Sequence, residues 1–357
     1  MDEHNLSIGD SFLVVDCGGG TVDLTVHKIL GDKTIGEITE RSGALCGSTY
    51  VDRNFITFLE KKVGKNAIEI LKEKYHEYQY LIHKFFGPHV KFGFNGEPSE
   101  FRRVTLDFSR FCPTLKKYVG SNRIWISFED IIAMFDPVVE TITDLIRKQL
   151  SSTTQNCSAM FLVGGFSESP YLTRRIKDTF KTTVPYISIS QHPITSVLRG
   201  AVIYGLNKGA IKNRILTMYY GVEIHPKWET TDPIGRKTRE GRIAKFNFLA
   251  NRGQTIELDE KCSGTYVPIY PDQKEICFRV FATPRYNAKY CDELGMKEIG
   301  ELYVDLPDIH LGLDRPVEFS LMFGELVITA TAMNTKNGKV YRTTFDYAKS
   351  DFVFNML

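Results

Sequence analysis

The chain has 357 residues, of which 42% are hydrophobic and 25% are charged, and its 45 basic and 43 acidic residues leave a formal charge of +2. A chain of this length exceeds what one hydrophobic core usually needs, so we expect two domains. The balanced charge gives no support to a nucleic-acid partner. No uncharged stretch approaches the length of about 20 residues that spans a bilayer, so we expect no membrane insertion.

Seven cysteines are scattered along the chain without a C-x-x-C pair. An odd and dispersed set is typical of free thiols in a reducing compartment and disfavours a zinc site. Residues 1–10 are polar and contain no apolar signal segment. We therefore predict a cytoplasmic protein.

The first predicted element is a β-hairpin over residues 11–30. An apolar run at 12–15 precedes three glycines, and apolar and polar residues alternate over 22–26. The first pattern predicts a buried strand and the second a half-exposed one, with a glycine corner between them.

Residues 45–150 are mainly helical in pattern. Apolar residues recur at helical spacing over 48–63 and again over 131–150. Ser127 and Asp130 form a capping-box pattern that predicts the start of the second of these helices. A short apolar strand at 159–163 then leads through Gly164 and Gly165 to a further helix.

That helix is predicted to begin at the N-cap Ser169, with Pro170 at its first position. Another helix is predicted near 194–206. Beyond 207 alternating strands dominate, among them 264–270, 275–283 and the run 317–332, and Asn337-Gly338 is a strong hairpin signal. We place a boundary near 208–213, with an α/β domain over 1–210 that has a helical insertion at about 48–150, and a β-rich domain over 211–357.

The glycine corners have a chemical interpretation and a structural one. Backbone amides of Gly18, Gly19 and Gly20 can approach a phosphate because no Cβ intervenes, and Thr21 adds a hydroxyl. Asp16, at the end of a buried strand, is suited to hold magnesium through its water shell. A triple glycine is, however, more often a simple tight turn with positive φ angles.

The second corner, Gly164 and Gly165, would let a ribose or a flat ring lie against bare backbone, or would serve only close packing of helix on strand. The sequence contains no G-x-x-x-x-G-K-[ST] motif and no G-x-G-x-x-G motif opening a Rossmann unit. Each corner alone is weak evidence for a nucleotide site, and the interpretation depends on the order and spacing of the two corners.

Together the motifs resemble the heat shock 70 kDa family of the actin-like ATPase superfamily. "VVDCGGGTVDLTV" is similar to the second phosphate loop of that family, "FLVGGFSESPYL" to its adenosine loop and "SVLRGAVIYGLN" to the helix that follows. The phenylalanine and E-S-P after the double glycine, and the β-rich tail, are most similar to its divergent twelfth subfamily. The resemblance covers nearly the whole chain.

The resemblance implies an ATP or ADP site with Mg²⁺ on a ribonuclease-H-like lobe. Asp16 would lie near the metal and Thr21 near the γ-phosphate, and these two would be the catalytic residues. The nucleotide-binding residues would be Gly18, Gly19, Gly20, Asp23, Gly47, Gly164, Gly165 and Phe166. Asp23 would also support the first corner.

The resemblance further implies a first phosphate loop and a catalytic lysine upstream of this corner, and only ten residues precede Ser11. We therefore expect that this chain alone does not hydrolyse ATP. The leading hypothesis is an ATP-binding, chaperone-like protein with polypeptide clients or co-chaperones. The alternative is a non-catalytic interaction module with a vestigial nucleotide site, and a sugar or acetate kinase relative is disfavoured by the β-rich tail.

Overall fold

The structure is a computed structural model that describes residues 6–31, 33–258, 260–324 and 327–347. Its internal contacts divide the chain into two units. The first comprises Met1–Thr34 and Arg41–Ala210, and the second comprises Ile35–Glu40 and Ile211–Leu357. The short segment Ile35–Glu40 therefore belongs with residues that follow it by more than 170 positions.

The secondary structure up to Leu206 alternates strands with helices. The strands are β1 (Ser11–Cys17), β2 (Val22–Gly31), β3 (Thr34–Glu37), β4 (Ser42–Ala44), β5 (Val104–Asp107), β6 (Arg123–Ile126), β7 (Cys157–Val163) and β8 (Tyr186–Ile189). The α-helices are α1 (Thr49–Val63), α2 (Lys65–Glu73), α3 (Tyr75–Tyr80), α4 (Phe108–Phe111), α5 (Phe128–Ser151), α6 (Pro170–Phe180) and α7 (Ser196–Leu206), and a π-helical segment, Leu81–Lys91, follows α3.

One mixed sheet organises the first unit. Strands β4, β2, β1, β7 and β8 lie side by side in that order. Strand β2 runs antiparallel to β1 and β4, whereas β1, β7 and β8 are parallel. Helix α5 packs on β2 and β4. The predicted α/β class is confirmed, and the architecture is consistent with an actin-like ATPase fold.

The start and the buried face of helix α5 both follow from its local sequence. The Ser127 hydroxyl accepts from the Asp130 amide at 3.0 Å, and the Asp130 carboxylate accepts from the Ser127 amide at 2.9 Å, so the predicted capping box is confirmed. The apolar positions at helical spacing become its buried face, including Phe135 and Ile142, which are fully buried.

The predicted helical insertion is not helical throughout. Strands β5 and β6 form an antiparallel pair within it, from Val104↔Ile126 to Asp107↔Arg123. Each strand has only four residues, which is too few for the alternating pattern to show in the sequence. Helices α1 and α5 lie close to the predicted helical stretches 48–63 and 131–150.

The second unit is built from antiparallel strands. They are β9 (Asn213–Ile215), β10 (Tyr219–Ile224), β11 (Lys245–Ala250), β12 (Thr255–Glu257), β13 (Lys261–Tyr266), β14 (Glu275–Thr283), β15 (Lys297–Asp305), β16 (Val317–Phe323), β17 (Val327–Asn334) and β18 (Val340–Asp346). One sheet has the order β11-β10-β14-β15, another the order β13-β16-β17-β18, and β9 pairs with β12.

The two four-stranded sheets share one hydrophobic core. Phe278 of β14 stacks on Phe319 of β16 with ring centroids 4.6 Å apart, and one buried cluster includes residues from both sheets. The predicted hairpin at Asn337-Gly338 is confirmed between β17 and β18, and Gly338 has a φ of 73°. Glu325 and Leu326, inside one predicted strand region, lie outside the described residues.

A fully buried arginine connects several stretches of chain in this unit. Arg315 is 0% exposed, and its guanidinium donates to backbone carbonyls at Gly312, Gln273, Leu306, Tyr270 and Pro271 over 2.6–3.5 Å. Three separate stretches of chain supply these carbonyls. The buried charge is thus stabilised by peptide dipoles in place of a carboxylate.

In the part of the chain that the structure describes, no helix combines the length and the apolar character that crossing a bilayer requires.

Candidate glycine-corner site

The first glycine corner joins β1 to β2. Its four residues, Gly18 to Thr21, are closed by a hydrogen bond from the Gly18 amide to the Thr21 carbonyl at 2.9 Å. None of the three glycines has a positive φ. The alternative explanation, that glycine is needed for a left-handed turn, therefore does not apply to this corner.

The carbonyls of the corner are held by the start of helix α1. The amides of Gly47, Ser48 and Thr49 donate to the carbonyls of Gly20, Gly18 and Gly19 at 3.1, 3.0 and 2.9 Å. A Cβ at Gly47 would collide with the Gly19 carbonyl, so this position requires glycine. The first amides of α1 therefore hold the backbone of the corner in place.

Within the described part of the chain, two amides of the same corner have no partner, whereas the Gly18 amide is bonded to Thr21. Gly19 and Gly20 are exposed, and their amides find no acceptor among the described residues. A Cβ built on either glycine meets nothing within 4 Å. The Thr21 side chain is half-buried, and its hydroxyl is likewise unbonded within the described chain. The corner therefore offers donors to an anion and no competing carbonyl.

Two carboxylates face each other beside the corner. Asp16 and Asp23 are direct cross-strand partners in the register of β1 and β2. Burial, and secondarily the charge of Asp23, raises the pKa of Asp16 above its usual range. Neither carboxylate forms an ion pair within the described residues, so the chain itself leaves this repulsion uncompensated.

A small groove adjoins the carboxylates. Its volume is about 350 Å³, and Asp16 and Asp23 line it together with Val163, Ser196 and Val197. The start of α7 thus reaches the same groove as the hairpin. Groups of three or more His, Cys, Asp or Glu placed to surround a metal do not occur in the described part of the chain.

The second corner approaches the first through Gly164. Gly164 has a φ of 81°, and a Cβ there would collide with the Asp16 carboxylate and the Cys17 carbonyl. Gly165 has ordinary room, with Ile194 the nearest neighbour at 3.5 Å. The Phe166 side chain is 1% exposed, so only its backbone can face a ligand.

Some residues of the site carried no sequence signal. A Cβ at Gly43 would lie 2.7 Å from the Asp23 carboxylate, so β4 also approaches the pair closely. Ser48, Thr49 and Ser196 reach the site through tertiary contacts. Gly43 lies inside β4, and a glycine within a strand can indicate a close approach of another chain segment, whereas nothing local marks the other three.

Comparison with known proteins identifies relatives of similar sequence. No protein-family model matches the chain. Heat shock 70 kDa protein 12A of Homo sapiens and that of Mus musculus are each 27% identical to it over 383 residues. Heat shock 70 kDa protein 12B of Homo sapiens is 25% identical over 380 residues. The resemblance to the heat shock 70 kDa family is confirmed.

The likeness to this heat shock 70 kDa group extends along 96% of the chain. The matched region is 54% of each relative, so the chain spans about half the length of the curated heat shock proteins that it matches. The glycine corner and the β-rich second unit both lie within a chain that is similar over almost all of its residues.

Proposed function

We propose that the chain binds ATP or ADP with Mg²⁺ at the corner Gly18–Thr21. The observation that carries this proposal is that the carbonyls of the corner are hydrogen-bonded whereas, among the described residues, two of its amides are not. The carbonyls of Gly18, Gly19 and Gly20 accept from the amides that begin α1, while the amides of Gly19 and Gly20 have no acceptor in the described chain. An array of free amides on a fixed backbone suits a phosphate chain.

The carboxylate pair supports a cation at the same place. Asp16 and Asp23 face each other without an ion pair in the described chain, and the raised pKa of Asp16 shows that its negative charge is disfavoured there. Mg²⁺ is held by one or two carboxylates while it keeps several waters. Asp16 would hold the metal through water, and the metal would supply neutralisation of phosphate charge.

The second corner would accommodate the nucleoside. Gly164 and Gly165 present backbone without side chains, and Gly164 is constrained against Asp16. From the family resemblance we extend the proposal to chaperone-like binding of polypeptides by the chain as part of a complete heat shock 70 kDa architecture. A cytoplasmic location belongs to the same proposal.

Isothermal calorimetry of the full chain with ATP and Mg²⁺ tests the nucleotide site. We expect the parent chain to bind in the millimolar range or tighter and Gly19→Val to weaken binding about tenfold or more, a loss of about 1.4 kcal/mol. Gly120→Val is the matched control, because a Cβ at Gly120 also meets open space. Asp16→Asn should remove the Mg²⁺-dependent part of the affinity.

The outcomes separate the two functional hypotheses. If the parent chain releases no heat with ATP and Mg²⁺, the nucleotide proposal fails for this chain, and the non-catalytic interaction protein becomes the leading hypothesis. Equal binding by the parent and Gly19→Val would place the nucleotide elsewhere. Thermal unfolding midpoints of all variants, measured in parallel, show whether a lost signal comes from lost folding.

A further inference from the structure

A second cavity lies within the first unit, apart from the groove at the glycine corner. It has a volume of about 750 Å³ and is formed by the π-helical segment, the loop after it, α4, the pair β5 and β6, and the start of α5. It shares no lining residue with the groove at Asp16 and Asp23. Its size lies within the range of sites for small organic molecules.

The floor of this cavity is aromatic. Phe85, Phe94 and Phe111 are each at most 6% exposed. The rings of Phe85 and Phe111 have centroids 5.0 Å apart, and Phe94 meets Phe101 edge to face at 6.2 Å. A flat apolar group entering the cavity would pack against these rings.

The rim is cationic. Four arginines line the cavity, Arg102, Arg103, Arg110 and Arg123, against two carboxylates, Glu100 and Asp107. Asp107 pairs with Arg123 at 3.0 Å, and Glu100 accepts from the amide of Asn95 at 2.5 Å. Among the described residues the other three arginines pair with no carboxylate.

Aromatic rings hold two of these three arginines at the mouth. The Arg103 guanidinium lies 3.9 Å from the centroid of the Trp125 ring, and that of Arg110 lies 4.9 Å from the Phe111 ring. Stacking fixes a guanidinium in place while leaving its edge donors free for an oxyanion. The arrangement therefore combines an apolar floor with positioned, uncompensated cations.

We propose that this cavity binds a small aromatic organic anion. The ring of the ligand would pack on the phenylalanine floor, and its carboxylate, sulfonate or phosphate group would accept hydrogen bonds from Arg103 and Arg110. Charge complementarity decides the class, because a neutral aromatic compound leaves the arginines unmatched and a bare anion leaves the floor unused. The proposal uses none of the residues of the proposed nucleotide site.

Calorimetry of the full chain with three probes tests it: 2-naphthalenesulfonate, the neutral 2-naphthalenemethanol and inorganic phosphate. We expect the sulfonate to bind about tenfold or more tightly than either of the others, which corresponds to about 1.4 kcal/mol. The double variant Arg103→Gln, Arg110→Gln should lose that advantage. Arg147→Gln, which removes an exposed arginine of α5 outside the cavity, should keep it.

Two results would overturn the proposal. One is equal affinity of the parent chain for the sulfonate and the neutral probe, and the other is unchanged sulfonate binding by the double variant. Arg103, Arg110 and the control Arg147 are all exposed, so replacing them should leave the fold intact. Circular dichroism of the variants checks this. Gly19→Val should keep sulfonate binding, so that failure at one site is distinguishable from failure at the other.

Discussion

Asp16 and Asp23 place two negative charges opposite each other on adjacent strands. Burial and then Asp23 raise the pKa of Asp16, so its ionisation is less favourable in the folded chain than in the unfolded one. The free energy of unfolding should therefore decrease as the pH rises from the usual Asp pKa of 3.8 through the raised pKa of Asp16, and it should then level off.

Replacing Asp23 with Asn should therefore stabilise the first unit at pH 7. Like charges directly opposite on a sheet are destabilising, and we expect a gain of about 0.2–1 kcal/mol that shrinks as the pH falls through the raised pKa of Asp16. Urea unfolding, followed by Trp125 fluorescence in a Trp228→Phe background, measures it. Glu140→Gln, at an exposed position of α5, is the control and should give no gain. A loss of stability in Asp23→Asn would contradict the argument.

Replacement by alanine should affect stability differently at Gly164 and at Gly20. Alanine at Gly164 must adopt a φ of 81° and collide with Asp16 and Cys17, so we expect a loss of about 1–3 kcal/mol or more. Alanine at Gly20 meets open space at a φ that is not positive, so its effect should stay within about 1 kcal/mol. The same unfolding assay compares them, and similar losses would refute this reading of the glycines.

At the residue scale, the sequence indicated the residues that could bind a ligand better than it indicated the residues that hold them in place. The three glycines and Asp16 of the first corner could be named from their pattern, and Asp23 from the family resemblance. The helix amides that hold the corner could not, because the bonds from Ser48 and Thr49 span about 30 residues. Nor does the pattern show that Gly47 is required by collision with Gly19.

Helix α7 is the element that departs most from the amphipathic pattern of a helix in a globular protein. It has no buried residue, and five large apolar side chains, Val197, Leu198, Val202, Ile203 and Leu206, are 58–86% exposed. A helix that is apolar on all sides normally lies inside a protein. In the described structure α7 instead presents an exposed apolar patch.

This exposure predicts dye binding at α7. We expect the parent chain to enhance the fluorescence of 1-anilinonaphthalene-8-sulfonate, and Leu198→Lys together with Ile203→Lys to reduce that enhancement. The unfolding free energy should change by less than about 0.5 kcal/mol, since exposed substitutions are generally mild. Thr179→Lys, at an exposed position of α6, should change neither signal. Undiminished dye fluorescence in the double variant would exclude α7 as the source.

The dye is itself an aromatic sulfonate, so the cavity lined by Arg103 and Arg110 must be accounted for. The measurement is therefore made in the Arg103→Gln, Arg110→Gln background as well. The reduction caused by the α7 substitutions should persist there.

Elements were predictable in proportion to their length and periodicity. Helix α5 has a capping box and many apolar positions at helical spacing, and its predicted start coincides with the observed one. Strand β14 also has the predicted bounds. By contrast, the predicted strand continues to Tyr270, whereas β13 ends at Tyr266, two residues before a proline. The pairing of β13 with β16 also stops at Tyr266. Short strands such as β5 depend on a partner that the local sequence does not specify.

At the scale of the whole molecule, a segment near the start of the chain completes the second unit. Glu37 is 9% exposed, and its carboxylate accepts from the Ile215 amide at 2.9 Å. Glu40 pairs with Arg252 at 2.8 Å. No sequence pattern links residues 35–40 to residues beyond 210, because the connection exists only in the folded chain.

Loss of the Glu37 carboxylate should destabilise the second unit. Glu37→Ala leaves a buried amide unpaired, and we expect a cost of about 1–3 kcal/mol. Arg252→Ala removes a more exposed ion pair and should cost about 1 kcal/mol or less. Urea unfolding, followed by Trp228 fluorescence in a Trp125→Phe background, compares the two. A larger effect at Arg252 than at Glu37 would show that the buried bond is unimportant.

The burial of Arg315 has a kinetic consequence. Its five carbonyl partners come from three stretches of chain, so no partly assembled state satisfies the whole guanidinium. We infer that this side chain leaves water only when those stretches have already converged, late in the folding of its unit. Arg315→Met should then accelerate unfolding much more than it slows refolding in stopped-flow measurements. Arg285→Met, at an exposed arginine that donates to one carbonyl, should leave both rates nearly unchanged.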